Sequence, residues 1–354
     1  MASLTGLRFA GALLVLLHHL PLALPAVSGP LRVAQCGYVG VTFFFVLSGF
    51  VLGYGWDESF RARDFYVRRG ARVYPVHLLT VALIIAVLWK HGVLWQVLPL
   101  NLMLIQAWSP NATVYYSFVG AAWSLSCEAF FYLCFPALVR LLKRCRRPVV
   151  HSWGLVVSAT AVGLAAKAFW PAAGEYLFHV PIFRISDFTV GILLSVAVRA
   201  GWRPRLGRRA ALALCITVYL AVLSQQVLSG SGPEMAWLYS ILMVMPFGLL
   251  IAAVAGKELD GHKSVLGSAV PVMLGQWSFA LYMIHGVVLA ALHESVRGLT
   301  GSAAVVVSIA IVVLAVAAAR LVFVLYERPL EAAIRQRWGQ RAVRTSLRPS
   351  VASR

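Results

Sequence analysis

Charge is scarce in this chain. Only 12% of its 354 residues are Asp, Glu, Lys or Arg, while 60% are hydrophobic. A soluble domain needs roughly twice that share of charge to cover its surface, so a soluble globular fold is excluded. Acidic residues are scarcer still: 12 stand against 31 basic ones, a net charge of +19. That surplus first suggests nucleic acid. The basic residues, however, stand in short blocks between apolar runs, and no separate basic domain exists to form a groove. Metal-ligand spacing is missing as well. Cys36, Cys127, Cys134, Cys145 and Cys215 form no CxxC, and packed, reduced thiols are expected. No A-x-A cleavage site follows the first apolar run, and two histidines interrupt it. It reads as a retained first span and not as a signal peptide.

What the chain does contain is apolar runs long enough to cross a bilayer, which takes about 20 residues. Ten spans are expected, near 4–26, 37–55, 74–92, 117–142, 152–171, 181–199, 209–228, 236–256, 268–293 and 302–326. The fold class is all-α, a polytopic membrane bundle forming one domain over residues 1–334. A basic, disordered tail is expected over 335–354. With the N-terminus in the cytoplasm, the inner turns hold the blocks Arg61–Arg72, Lys143–Arg147 and Arg203–Arg209, then Lys257 and Lys263. The outer segments keep only Arg32, Lys90, Lys167 and Arg297. That asymmetry supports ten spans with both termini inside a plasma membrane. Residues 93–108 are apolar but short. Counting them as a span would move the Lys143–Arg147 block outside, so they are expected to be re-entrant or interfacial.

Ionisable groups within a bilayer cost about 2.5–3.5 kcal/mol each on insertion scales, and those that persist face the bundle interior. Here they are Arg8, His18, His19, Glu128, Arg184, Asp187, His285 and Arg320. Arg184 and Asp187 are three apart and should neutralise each other. In RFAGALLVLLHHL, Arg8 and His19 are eleven residues apart, which brings them within about 20° of one helix face and about 16 Å apart along it. His18 falls about 80° away from Arg8. His19 is thereby the candidate partner of Arg8, and His18 is the plainer, merely hydrogen-bonded neighbour. Counting from the span ends places His19, Ser48, Glu128 and His285 in one slab, in the middle or outer half of the membrane. A histidine and a carboxylate at one depth suit acid–base chemistry, the carboxylate fixing the imidazole. The bland alternative is a protonated Glu128 serving as a structural hydrogen-bonder. Ser124 and Tyr132, four residues either side, share its face. In FYVRRGARVYP, Arg69 and Arg72 would share a face if helical, and paired guanidiniums suit phosphate. A positive-inside loop would also explain them.

Taken in order, these motifs resemble the membrane acyltransferase-3 family. The carriers are Arg8 and His19; FFFVLSGF around Ser48 and Gly49; RRGARVYP with Arg69, Arg72 and Pro75; WSLSCEAFFYL with Trp123, Ser124, Glu128 and Tyr132; SFALYMIH with Ser278, Tyr282 and His285; and YERP with Glu327 and Pro329. The resemblance implies an O-acyltransferase using acyl-CoA, with acetyl-CoA as the expected co-substrate and no resident cofactor or metal. It implies His19 as the catalytic residue and the arginine pair as a donor contact. Arg8 is assigned with Arg69 and Arg72 to the phosphates. His19 and Glu128 are the catalytic candidates; Ser48, Ser124, Tyr132, Tyr282 and His285 are candidates for the substrate or oxyanion. Many family members have Asp where Thr42 stands here, so no acidic role is expected at that position. The acceptor would be a hydroxyl of a carbohydrate or of a natural product such as a macrolide. The partners are thus acyl-CoA, the acceptor and the bilayer, with no nucleic acid. A transporter or flippase using the same groups as a proton relay is the rival from another class. Bis-histidine haem ligation through His18 or His19 with His285 is a third reading. An intramembrane serine protease fits poorly, since Val46 stands where GxSG needs glycine.

Overall fold

The computed structural model describes residues 1–57, 61–89, 92–230 and 232–339, and every regular element among them is helical. Ten helical stretches are long and apolar enough to cross a membrane. They contain α1 (Ala2–Ala23), α2 (Gly40–Tyr54) and α3 (Ala62–Leu88). Two short pieces follow, α4 (Leu98–Leu102) and α5 (Ala112–Tyr115), before the spanning α6 (Trp123–Leu142) and α7 (Pro148–Phe169). The short α8 (Ala173–His179) precedes α9 (Pro181–Arg199), α10 (Arg208–Ser229), α11 (Ala236–Leu259) and α12 (Ala269–Val296). The last span joins α13 (Gly301–Val322) to α14 (Arg328–Gly339) through a π-helical turn over Phe323–Glu327.

Burial sorts these helices. In α11 83% of the most apolar window is inside the protein, and in α7 only 11%. With α2, α9 and α12, α11 forms the centre; α7, α10 and α13 present apolar side chains outward, as lipid-facing helices must. Backbone proximity at the centre depends on glycine. A Cβ at Gly275 of α12 would overlap the Thr5 carbonyl oxygen of α1, and a Cβ at Gly49 of α2 would overlap the Phe188 carbonyl oxygen of α9. Small residues at these crossings let membrane helices approach closely. The α1–α12 contact brings the first and ninth spans side by side over much of their length. The free N–H groups that open α1 are capped from α11: Ala2 and Ser3 donate to the Glu258 carboxylate at 2.7 and 2.9 Å.

Two expectations change, and one is kept. α3 starts at Ala62, well before the expected 74, so the arginine-rich segment is the first three turns of a helix and not a loop. Pro75 lies inside this helix and does not end it. Residues 93–108, as expected, form no helix long enough to span; they fold into α4 and single turns around it, with Asn101 and Gln106 fully buried. Asn101 donates to the Ser117 hydroxyl at 2.8 Å and accepts from His77 Nε2 at 2.9 Å through its carbonyl, which meets the requirement that irregular backbone be satisfied inside protein. Finally, α14 runs on to Gly339, so the helix enters the stretch read as a disordered tail. Residues 340–354, with the rest of the expected tail, and Lys90 lie outside the described residues.

Candidate active site

Two cavities lie in the bundle and meet at Tyr282 and Val41, which line both. The first, about 130 Å³, is lined by Arg8 of α1, Ser48 of α2, Arg69 and Arg72 of α3, and Ser124, Glu128 and Tyr132 of α6. It lies toward the end of the bundle where α1 begins. The helical spacing of three residues puts Arg69 and Arg72 on one face. Their environments differ. Arg72 Nη1 is 2.7 Å from Glu327 Oε1 and 3.3 Å from Glu331 Oε2, so two carboxylates of the last span already balance it. Arg69 lies over the rings of Phe65 and Tyr132, each about 5.8 Å from its guanidinium carbon. Among the described residues no carboxylate forms a salt bridge with Arg8 or Arg69. Glu128 accepts a hydrogen bond from Tyr132 at 2.9 Å. Guanidiniums without carboxylate partners at a cavity wall present open donors to an anion.

The second cavity is larger, about 450 Å³, and lies toward the end where α8 sits. His18, His19, Tyr38, Trp123, Glu175, Phe178 and Gln226 are on its wall. His19 Nδ1 is 2.9 Å from the Val15 carbonyl oxygen and 3.3 Å from His285 Nε2. His285 Nδ1 is 3.2 Å from the Leu281 carbonyl oxygen. Carbonyl oxygens only accept, which fixes the tautomers of a neutral pair. His285 carries its proton on Nδ1 and accepts at Nε2; His19 carries its proton on Nδ1 and shares it between Val15 and His285. The His19 Nε2 lone pair is left without a protein partner and available to a substrate. Between the cavities, Ser124 and Tyr282 hydroxyls are 2.8 Å apart and both reach the Ala121 carbonyl oxygen, at 3.0 and 3.1 Å.

The expected site residues are thus gathered, but into two groups. Arg8, Arg69 and Arg72 converge as the spacing requires. Ser48 and Glu128 stand with them, whereas His19 and His285 line or abut the other cavity; the single slab resolves into two chambers. Glu128 does not orient His19. That position belongs to the Val15 carbonyl and His285. His18 also reaches the second cavity, because the chamber is wide enough to take both faces, and its Nδ1 is buried without a protein partner. Direct contact between His19 and His285 leaves no space for a haem between them. Arg184 and Asp187 do pair, at 2.8 Å and fully buried, and Arg184 also donates to Thr42 at 2.7 Å. All five cysteines are free, and the described residues hold no cluster fit for a metal ion. No sequence pattern pointed to Glu175, His179 and Gln226, which lie between or at the ends of spans and join the histidines on one cavity wall only through tertiary packing. The Arg72–Glu327 pair had a trace in YERP but no assigned partner.

The family model described as an acyltransferase domain, acyltransferase 3, matches residues 1–321. The chain is 31% identical to acyltransferase MdmB of Streptomyces mycarofaciens over 93% of this chain and 91% of that protein. It is 28% identical to a putative membrane-bound transacylase, BcsY, of Komagataeibacter xylinus, over 80% of this chain and 72% of that one. Peptidoglycan O-acetyltransferase OatA of Listeria monocytogenes is 28% identical over 41% of this chain and 25% of its own. No solved structure is a significant match. Ten apolar helices and a family match over nearly the whole length leave one conclusion: the chain belongs to the acyltransferase-3 family and is a multi-pass membrane O-acyltransferase.

Proposed function

We propose that the protein moves an acyl group, acetyl in the first instance, from acyl-CoA in the cytoplasm to a hydroxyl of a carbohydrate or macrolide-like natural product. The first cavity receives the CoA phosphates at Arg8 and Arg69, with Arg72 held beside them by Glu327 and Glu331. The pantetheine arm follows the α1 face past Ser124 and Tyr282 toward His19. The acceptor enters the second cavity. His19 Nε2 takes the proton of the acceptor hydroxyl as its oxygen attacks the thioester carbonyl. The tetrahedral intermediate collapses with cleavage of the carbon–sulfur bond, and the leaving thiolate recovers that proton as CoA. Tyr282 or Ser124 can turn its hydroxyl to the oxyanion at the loss of one bond to Ala121. Glu128 stays with Tyr132 and Arg8 on the donor side, where it balances guanidinium charge.

One observation carries this reading: a histidine with Nδ1–H anchored and Nε2 without a partner among the described residues faces a cavity that shares Val41 and Tyr282 with the one where Arg8 and Arg69 have no carboxylate partner. The same asymmetry supports an orientation. A phosphate donor arriving at Arg8 from the cytoplasm accords with both termini inside a plasma membrane, as do the arginine-rich turns. The test is comparative mass spectrometry of metabolites from a deletion strain. The expected result is an accumulated compound lacking one acyl group. Purified protein that forms CoA equally fast without any acceptor would refute transfer to one.

A further inference from the structure

The second cavity contains a charge that the acyl-transfer reading does not use. Among the described residues, Glu175, on α8, is the single carboxylate on its wall, and no lysine or arginine lines it. Tyr115 donates to Glu175 Oε1 at 2.7 Å, and no described cation pairs with the carboxylate. A neutral amide would accept that bond from Tyr115 equally well, so holding α5 to α8 does not require charge. His179, next to it, does not neutralise it. Burial holds the His179 imidazole down to about 3, and both nitrogens are engaged, with the Glu175 carbonyl and the Tyr116 hydroxyl at 2.8 Å each. Rings of Tyr38, Tyr116, Trp123, Phe178 and Tyr282 complete the wall. Gln226 also lines it; its Oε1 is occupied by Cys36 Sγ and Tyr38 Oη at 2.9 and 3.0 Å, leaving its amide N–H groups for a ligand. Aromatic faces around one unpaired carboxylate form a site for an organic cation.

We infer that the acceptor is a hydroxylated amine, an amino sugar or an amine-bearing natural product, whose ammonium rests on Glu175 while its hydroxyl faces His19. This rests on the reading of the second cavity as the acceptor chamber. It also explains selectivity for oxygen. An ammonium paired with a carboxylate keeps its proton and has no lone pair, so the acyl group goes to the hydroxyl.

Matched probes test the inference: the methyl glycoside of a dimethylamino sugar, and the same glycoside with a methoxy group replacing the amine. Binding to the full chain in nanodiscs is read by calorimetry, and a melting curve on each sample reports folding. Wild type should bind the amine probe about ten- to hundredfold tighter at pH 7, the range for a hydrogen bond to a charged group. Glu175→Gln should bring the two affinities together, while Tyr115→Phe, which keeps the carboxylate, should retain the preference. Equal binding by wild type, or an unchanged preference in Glu175→Gln, overturns the proposal. Failure of the underlying function has a different signature. In that case His19→Ala would still form CoA from acetyl-CoA and acceptor at the wild-type rate, whichever probe binds better.

Discussion

The two chambers differ in what their polar groups lack. In the first, guanidiniums predominate, and two of the three have no carboxylate partner. In the second, imidazoles, two amides and one carboxylate stand among aromatic rings, with no arginine or lysine among the described residues. A protein that merely relayed protons would need a continuous file of groups of similar kind. Here the character changes sharply at Tyr282, on whose two sides an anionic donor and a cationic or neutral acceptor would be held. On the proposed reading, donor binding and chemistry occupy separate walls, so substitutions on either side should leave different kinetic signatures.

The sharpest way to break the partition is at His19. His19→Ala should lower acceptor-dependent CoA release by about 10²–10⁴-fold, the usual contribution of a positioned base. His18→Ala should retain much of the activity, since its neighbour holds the anchored tautomer. Equal losses in normally inserted proteins would mean that helix phase does not separate the two. Next come Arg8→Ala and Arg69→Ala. Each should raise KM for acetyl-CoA about ten- to hundredfold, the range for a hydrogen bond to a charged group. Acetyl-pantetheine, which lacks the phosphates, sharpens this: wild type and variants should use it alike. A fall in kcat at unchanged KM would move these arginines to the chemical step.

How far the sequence foretold this arrangement can be argued from particular residues. That Arg8 and His19 share a helix face was legible because one helix fixes both phase and rise; that they line different cavities was not. Arg69 and Arg72 were legible for the same reason once their segment is helical. Glu128 was misplaced relative to His19 because counting from span ends gives height alone. Height does not say which helix stands opposite. The glycine contact between α1 and α12 decides that, and it sets His285 beside His19. Arg72 and Glu327 are 255 positions apart, and no local pattern joins groups at that separation. The ten spans, by contrast, follow from run length and charge alone, which is why only their edges moved.

A smaller effect is expected at His285, which positions His19 and need not touch substrate. His285→Ala should lower kcat by about tenfold with little change in KM for acetyl-CoA, as loss of orientation does. His285→Gln can restore an acceptor for the His19 Nδ1–H and should recover part of the rate. No difference between the two variants would remove His285 from the tautomer argument.

The smallest expected effect concerns the wall of the second chamber and appears only with pH. Among neutral tautomers, His179 donates from Nδ1 to the Glu175 carbonyl and accepts from Tyr116 at Nε2, so a second proton would reverse the latter bond and bury a charge. Burial lowers its pKa from 6.5 to about 3. A depressed folded value means that the unfolded chain binds the proton first. The contribution is therefore fully present above pH 6.5 and is lost as pH falls from there toward 3. One pH unit inside that window corresponds to about 1.4 kcal/mol. His179→Gln removes the titration. Its melting temperature should fall less than that of wild type between pH 7 and pH 5, even if it starts lower. Because the first chamber is not coupled to this residue, KM for acetyl-CoA in the variant should follow the wild-type pH profile. A parallel fall in both melting curves would place the acid sensitivity elsewhere in the bundle.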